Sequence, residues 1–283
     1  MSKVKIVTDS GAKFTEKEKE EFDIQVVPLS VEIDGTIYED GVTISPEEFL
    51  DKMAVSAEVP HTSQPPIGAF QEAYEKALAG DEDAEILSLH ISSGLSGTVN
   101  AAHQAGALVK NKVVAFDTYS ADRSEAFVVL AAARVAKNGG SMEEVLAAAE
   151  KAREDTYIYL SFRNLDNMVA GGRLSKTQGL IGNLLNIKVG AFVDPKGKVE
   201  VATKGRGLKT LNKFNEDVID KMKSFKTMKG IGITYTGIKE EAEAMAARLN
   251  EIWPDIDILV SVATPMIATH TGMGALAFLF EAE

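Results

Sequence analysis

The chain has 283 residues, 45% hydrophobic and 25% charged, a length that suits two cores better than one. A net charge of -12 argues against a nucleic-acid partner and against adsorption to an anionic membrane. With no cysteine, disulfides, thiolate zinc sites and a cysteine nucleophile are excluded.

The elements follow in chain order. Val4 to Val7 is a short apolar run that ends in "TDSGAKF", a first strand feeding a polar loop. "TEKEKEEF" is a charged helix capped by Thr15, and "IQVVPLSVEIDGTIYEDG" is a strand followed by a hairpin at Asp34-Gly35. "SPEEFLDKM" has Ser45 as its cap and Pro46 at the first helical position. "HTSQPP" is a loop that starts the next helix, which stops at Gly80. "EILSLHIS" is a buried strand running into "SSGLSGT". A helix, the strand "KVVAFDT", a long Ala-rich helix to Lys137 and a helix capped by Ser141 follow. Strand and helix alternate over short loops, the pattern of a doubly wound, mostly parallel α/β sheet.

From Thr156 the order changes. "TYIYLSF" is a strand, and "NLDNMVAGGRLSKTQGLIGNLLN" is helical, broken at Gly171-Gly172, which could act as a hinge. A hairpin turns at Pro195-Lys196-Gly197, and a long amphipathic helix runs to about Phe225. "GIGITYTG", a helix to Ile252, "DIDILVSVAT" and the closing segment complete the chain. The expected architecture is an N-terminal α/β domain over residues 1–160 and a C-terminal α+β domain over residues 161–283. No apolar run long enough to span a bilayer and no signal-peptide pattern are present, and a cytoplasmic location is expected.

In open α/β sheets ligands sit outside the carboxyl ends of the strands. That rule selects "TDSGA", "HTSQPP", "SSGLSGT" and "TYTG", loops rich in hydroxyls and glycines where helix N–H groups are free to hold a small anion. Capping alone would account for Ser96 or Thr98, but His61-Thr62-Ser63-Gln64 offers more donors than one cap consumes. There is no G-x-S-x-G elbow and no P-loop. The four histidines show no metal-ligand spacing. His90 reads as a satisfied sheet histidine and His103 as a surface one. Arg173 and Arg206, the latter between Lys204 and Lys209, are either solvated turns or a phosphate-facing patch.

Together, "VTDSGA", "HTSQPP", "SSGLSGT", "GGRLSKTQGLIGNLLNIKVG", "TKGRGLK" and "HTGMGALAF", in this order, resemble the DegV family, which includes the fatty acid-binding subunits of bacterial fatty acid kinase. The resemblance spans essentially the whole chain. It implies two α/β domains with one long-chain fatty acid buried between them, and no cofactor. It also implies a partner kinase subunit that supplies ATP and phosphorylates the bound carboxyl. Thr62, Ser63, Ser93, Ser96, His270 and Thr271 are the implied carboxylate seat, and Arg173 and Arg206 the implied residues for phosphoryl transfer or kinase docking. Met273 stands where many relatives have proline, which implies a looser turn there and a side chain suited to lining the pocket. Ala275 to Phe280, with the apolar face of "LIGNLLNIKVGAF", is either plain core or the wall of the tail. Two other readings compete. One is a hydrolase using Ser96 or Ser93 with His270 and Asp9. The other is a binder of a different amphiphilic anion with no kinase role.

Overall fold

The computed structural model describes residues 4–81, 83–173 and 187–283. The first half contains β1 (Val4–Asp9), α1 (Glu16–Phe22), β2 (Gln25–Val27), β3 (Ser30–Ile33), β4 (Thr36–Glu39), α2 (Pro46–Val55), β5 (His61–Ser63) and α3 (Ile67–Leu78). It continues through β6 (Glu85–His90), α4 (Thr98–Gly106), β7 (Val113–Asp117), α5 (Asp122–Lys137) and α6 (Met142–Asp155). The second half contains β8 (Thr156–Phe162), α7 (Asp166–Gly171), β9 (Ile187–Val193), β10 (Val199–Arg206), α8 (Leu208–Lys223), β11 (Met228–Tyr235), α9 (Lys239–Ile252), β12 (Ile258–Val262), α10 (Pro265–Thr271) and β13 (Leu276–Ala282).

The strands β2-β1-β6-β7 form an all-parallel sheet, with Ile6 opposite Leu87 and Leu87 opposite Val114. Both faces are covered, which is why these strands are apolar without strict alternation. Val7 and Ile86 pack toward Phe70, Tyr74 and the alanines of α4. Ile6, Leu87 and Leu89 pack toward α5 and α6. Thr15, Ser45 and Ser141 each close a capping box with a glutamate three residues on. A small antiparallel sheet, β4-β3-β5, turns at Asp34 and Gly35, whose φ values of 50° and 72° match the primed hairpin turn. The stretch "HTS", expected as loop, is a strand here, because Thr62 pairs with Val31 of β3.

The second sheet, β10-β9-β8-β13-β11-β12, is mixed; only β11 and β12 run parallel. This is the α/β fold with a parallel sheet and a separate α+β unit that the pattern of elements implied. Residue 160, the expected end of the first unit, falls inside β8, whose strand partners β9 and β13 belong to the second sheet; the sheets divide at Asp155–Thr156. Leu276, Phe278 and Phe280 of β13 pack under α8 and α9, whereas Ala275, Ala277 and Leu279 face the first half. The closing strand thus serves a core on one face and the region between the halves on the other.

Helix α5 lies between the two sheets, packed on β1 on one side and on β8, β11 and β13 on the other. Two glycines of β11 let it approach: a Cβ at Gly232 would stand 2.7 Å from Arg123 Cγ, and one at Gly230 would stand 2.8 Å from Phe127 Cε1. The Ser124 hydroxyl donates to the Tyr157 carbonyl at 2.9 Å. At the rim, the Ser92 hydroxyl donates to the Gly197 carbonyl at 2.8 Å, tying the loop after β6 to the β9–β10 hairpin. The helical reading of "LSKTQGLIGNLLN" lies outside the described residues.

Candidate functional site

An apolar cavity lies between the halves. Its walls are apolar: Ile91 and Leu95 from the loop after β6, Ile158, Leu160 and Phe162 of β8, Val193 and Val199 of the hairpin, and Ala275, Ala277 and Leu279 beside β13. Met266 and Ile267 of α10 and Met168 of α7 close it. The inward face of β13 therefore lines this space.

One end of the cavity is polar. A neighbouring hollow lined by Thr62, Ser63, Gln64, Ser96 and Gly97 shares Leu95, Arg173 and Met266 with the apolar cavity. At the junction Thr62 Oγ1 and His270 Nε2 are 2.8 Å apart. His270 is delivered by α10, a helix started by Pro265, capped by the Thr264 hydroxyl and ended at Gly272 with φ 68°. The imidazole lies so close to Gly171 that a Cβ there would stand 2.4 Å from Nδ1. Burial, then the charges of Arg173 and His61, push the imidazole down to about 4, so it is neutral at physiological pH. Its Nδ1 is buried with no hydrogen-bond partner. Arg173 is fixed by two carbonyls, Nε to Leu95 at 3.1 Å and Nη1 to Gly171 at 2.5 Å. Those bonds hold one edge of the guanidinium and place its charge where the two hollows meet.

Of the residues expected from sequence, Thr62, Ser63, Ser96, Arg173 and His270 are thus brought together. Thr271 lines the apolar cavity, its hydroxyl donating to the Ile267 carbonyl at 3.1 Å. Ser93 stands outside both hollows: it is exposed, and its N–H points to the Asp117 carboxylate at 3.2 Å. Arg206, exposed at the end of β10, lines neither. Met273 is not in the cavity wall; it is 39% exposed and covers Gly237. Thr234, the first residue of the "TYTG" stretch selected from sequence, lines the apolar cavity, and so does Asp122, which had no local signal. "YSADRSEAF" reads as an ordinary acidic helix start, and only the sheet beyond α5 turns Asp122 inward.

The hydrolase constellation is not assembled. Asp9 Oδ2 is 2.9 Å from His90 Nδ1, and Asp9 also accepts the N–H groups of Gly11 and Ile91 at 2.8 and 3.0 Å. His90 Nε2 meets Ser88 Oγ at 2.6 Å, which receives the Tyr74 hydroxyl at 3.0 Å. His90 is the satisfied sheet histidine its surroundings suggested. The Ser96 hydroxyl pairs with Thr98 Oγ1 at 2.8 Å, and the hydrogen-bond partner of His270 is a threonine rather than an acid. Among the described residues no three His, Asp or Glu side chains are close enough to share a metal ion, and no helix is long and apolar enough to cross a membrane.

The profile of the DegV family, whose description reads "uncharacterised protein", matches residues 3–283. The DegV domain-containing protein YejH of Lactococcus lactis is 41% identical over 283 residues, covering 99% of each chain. Among solved structures, a fatty-acid-binding DegV family protein of Thermus thermophilus is similar over 100% of both chains, with 32% identity and a TM-score of 0.86. DegV of Bacillus subtilis, a fatty acid binding protein, is similar over 100% of both chains, with 28% identity and a TM-score of 0.89.

Proposed function

The chain belongs to the DegV family, and from that membership we propose that it binds one long-chain fatty acid, tail in the apolar cavity and carboxylate at the His270–Thr62 end. The observation that carries this reading is an apolar cavity with one polar end. At about 0.8 kcal/mol per buried CH₂, a sixteen-carbon chain gains roughly 11–12 kcal/mol before ordering costs, enough for a complex that survives purification. A buried carboxylate needs its oxygens hydrogen-bonded. If neutral His270 donates from Nε2 to Thr62, the Thr62 hydroxyl keeps its own proton for the ligand, and Arg173 supplies charge.

The chain is a binding subunit rather than an enzyme in this reading. It presents the fatty acid to an ATP-dependent kinase subunit, where a carboxylate oxygen attacks the γ-phosphorus, ADP leaves and an acyl phosphate forms. The chain has no P-loop of its own, which suits a nucleotide carried by the partner. Arg173 faces the carboxyl end, and exposed Arg206 is the docking residue. Native mass spectrometry of the purified protein, followed by solvent extraction, tests the binding step. A single species heavier by one C14–C18 fatty acid supports it; a protein that stays empty after incubation with a fatty acid panel overturns it. Mixing the loaded protein with a family kinase and ATP tests the second step. Lipid held tightly with no acyl phosphate formed would favour a carrier for another purpose.

A further inference from the structure

Among the described residues, one carboxylate lines the apolar cavity. Asp122 opens α5, is 3% exposed and lines the apolar space. Its backbone sits in the left-handed region at φ 57°, a conformation uncommon outside glycine. The loop after β1 holds it there: Asp122 N–H donates to the Gly11 carbonyl at 2.8 Å, and Lys13 N–H donates to the Asp122 carbonyl at 3.1 Å. On the side chain, Oδ1 accepts the Arg123 N–H at 2.7 Å and the Thr234 hydroxyl at 3.2 Å. Among the described residues no hydrogen bond reaches Oδ2. Burial drives the Asp122 carboxyl up to about 6, against the pull of Lys13 and Arg123, and the Asp122 charge is felt by the buried Glu125.

An unsubstituted alkyl tail filling the cavity would cover this oxygen and offer it no donor, and covering a polar group without giving it a partner is costly. The pair also lies on the tail's side of the cavity. Thr236, two residues further along β11, donates its hydroxyl to the Gly272 carbonyl beside the His270 helix end. Asp122 and Thr234 line the apolar cavity and not the polar hollow that holds Thr62, Ser63 and Ser96.

We infer that the cavity is built for a long-chain fatty acid that carries a hydroxyl on its chain, with that hydroxyl donating to Asp122 Oδ2. The inference rests on the fatty-acid reading above and names the subclass of ligand within it. A site that hydrogen-bonds a ligand hydroxyl discriminates strongly against the analogue lacking it.

The test is displacement of a fluorescent fatty acid from delipidated protein by stearate and by hydroxystearate isomers with the hydroxyl at successive carbons. At least one mid-chain isomer is expected to bind about ten-fold tighter than stearate. Asp122→Gly removes the carboxyl while permitting the left-handed backbone, and it is expected to reduce the advantage to about two-fold or less. Asp122→Asn keeps an acceptor and tolerates the same backbone, and it should retain most of the advantage. Stearate binding as tightly as every isomer, or a preference that survives in Asp122→Gly, would overturn this inference and leave the fatty-acid reading standing. Failure of stearate and of every isomer to bind would overturn both.

Discussion

Thr62 of β5 and His270 of α10 are 208 residues apart in sequence and 2.8 Å apart in the fold. Their contact joins the small three-stranded sheet of the first half to the last helix of the second across the polar end of the cavity. On the proposed fatty-acid reading the two side chains act on the ligand as one unit, so Thr62→Val and His270→Ala should each weaken fatty acid binding by roughly ten-fold, with the double variant far short of a hundred-fold. Displacement titrations on the four proteins of the cycle measure this. Fully additive losses would show that the two residues contact the ligand independently.

Stability should respond to pH in two opposed ways. An unfolded histidine takes its proton near 6.5, but buried His270 takes it only near 4, so its contribution is complete above pH 6.5 and is lost as pH falls toward 4. Asp40 has the opposite sign. Buried and accepting the Met266 N–H at 3.2 Å, it is pushed up to about 7 from 3.8, so the folded state binds the extra proton and stability falls as pH rises between those values. Asp40→Asn cannot ionise and should raise the melting temperature at pH 8 by roughly 3–8 °C, with little gain near pH 4. Thermal melts across pH decide it; an equal shift at both ends would point to something other than ionisation.

Gly171→Ala should disturb binding more than folding. The new Cβ would lie 2.4 Å from His270 Nδ1, so the ring has to move out of line with Thr62. Affinity for fatty acid is expected to drop about ten-fold, as for loss of the hydrogen bond itself, with an unchanged circular dichroism spectrum. Unaltered affinity would mean that the ring position is not critical.

Asp9→Ala is expected to be a stability variant. It leaves buried His90 and the N–H groups of Gly11 and Ile91 without their acceptor, at a cost of about 3–5 kcal/mol in denaturant unfolding. The conservative Asp9→Asn should recover part of it. If Asp9→Asn, still folded, instead abolished turnover of an activated ester, the hydrolase reading would have to be reopened.

Arg206→Ala should keep the lipid and slow acyl phosphate formation with the kinase, because Arg206 is exposed and lines neither hollow. Arg173→Ala should impair both, since its guanidinium stands where the hollows meet. An empty pocket in Arg206→Ala would collapse this division of roles.

The features legible in the sequence are those with local causes. Capping boxes at Thr15, Ser45 and Ser141 needed only a hydroxyl and a glutamate three residues later, and the Asp34-Gly35 turn needed only its own two residues. What escaped depends on distant partners. A three-residue strand such as β5 has no periodicity to read, and it exists because β3 offers an edge. Ser93 and Ser96 share one motif, yet the path of the loop turns one outward and the other toward the polar hollow. Asp9 was a candidate acid for His270; the register of β1 against β6 gives it to His90 instead.

Helix α5 has no solvent side along most of its length, since one stripe belongs to the parallel sheet and another to the mixed sheet. A motion that swung the halves apart like a jaw would tear this helix out of one of its two cores. On the fatty-acid reading, ligand exchange is then expected to proceed with the jaw shut, through small displacements of β5, α7 and α10 around the rim. Its rate should accordingly be insensitive to changes in the global stability of the protein.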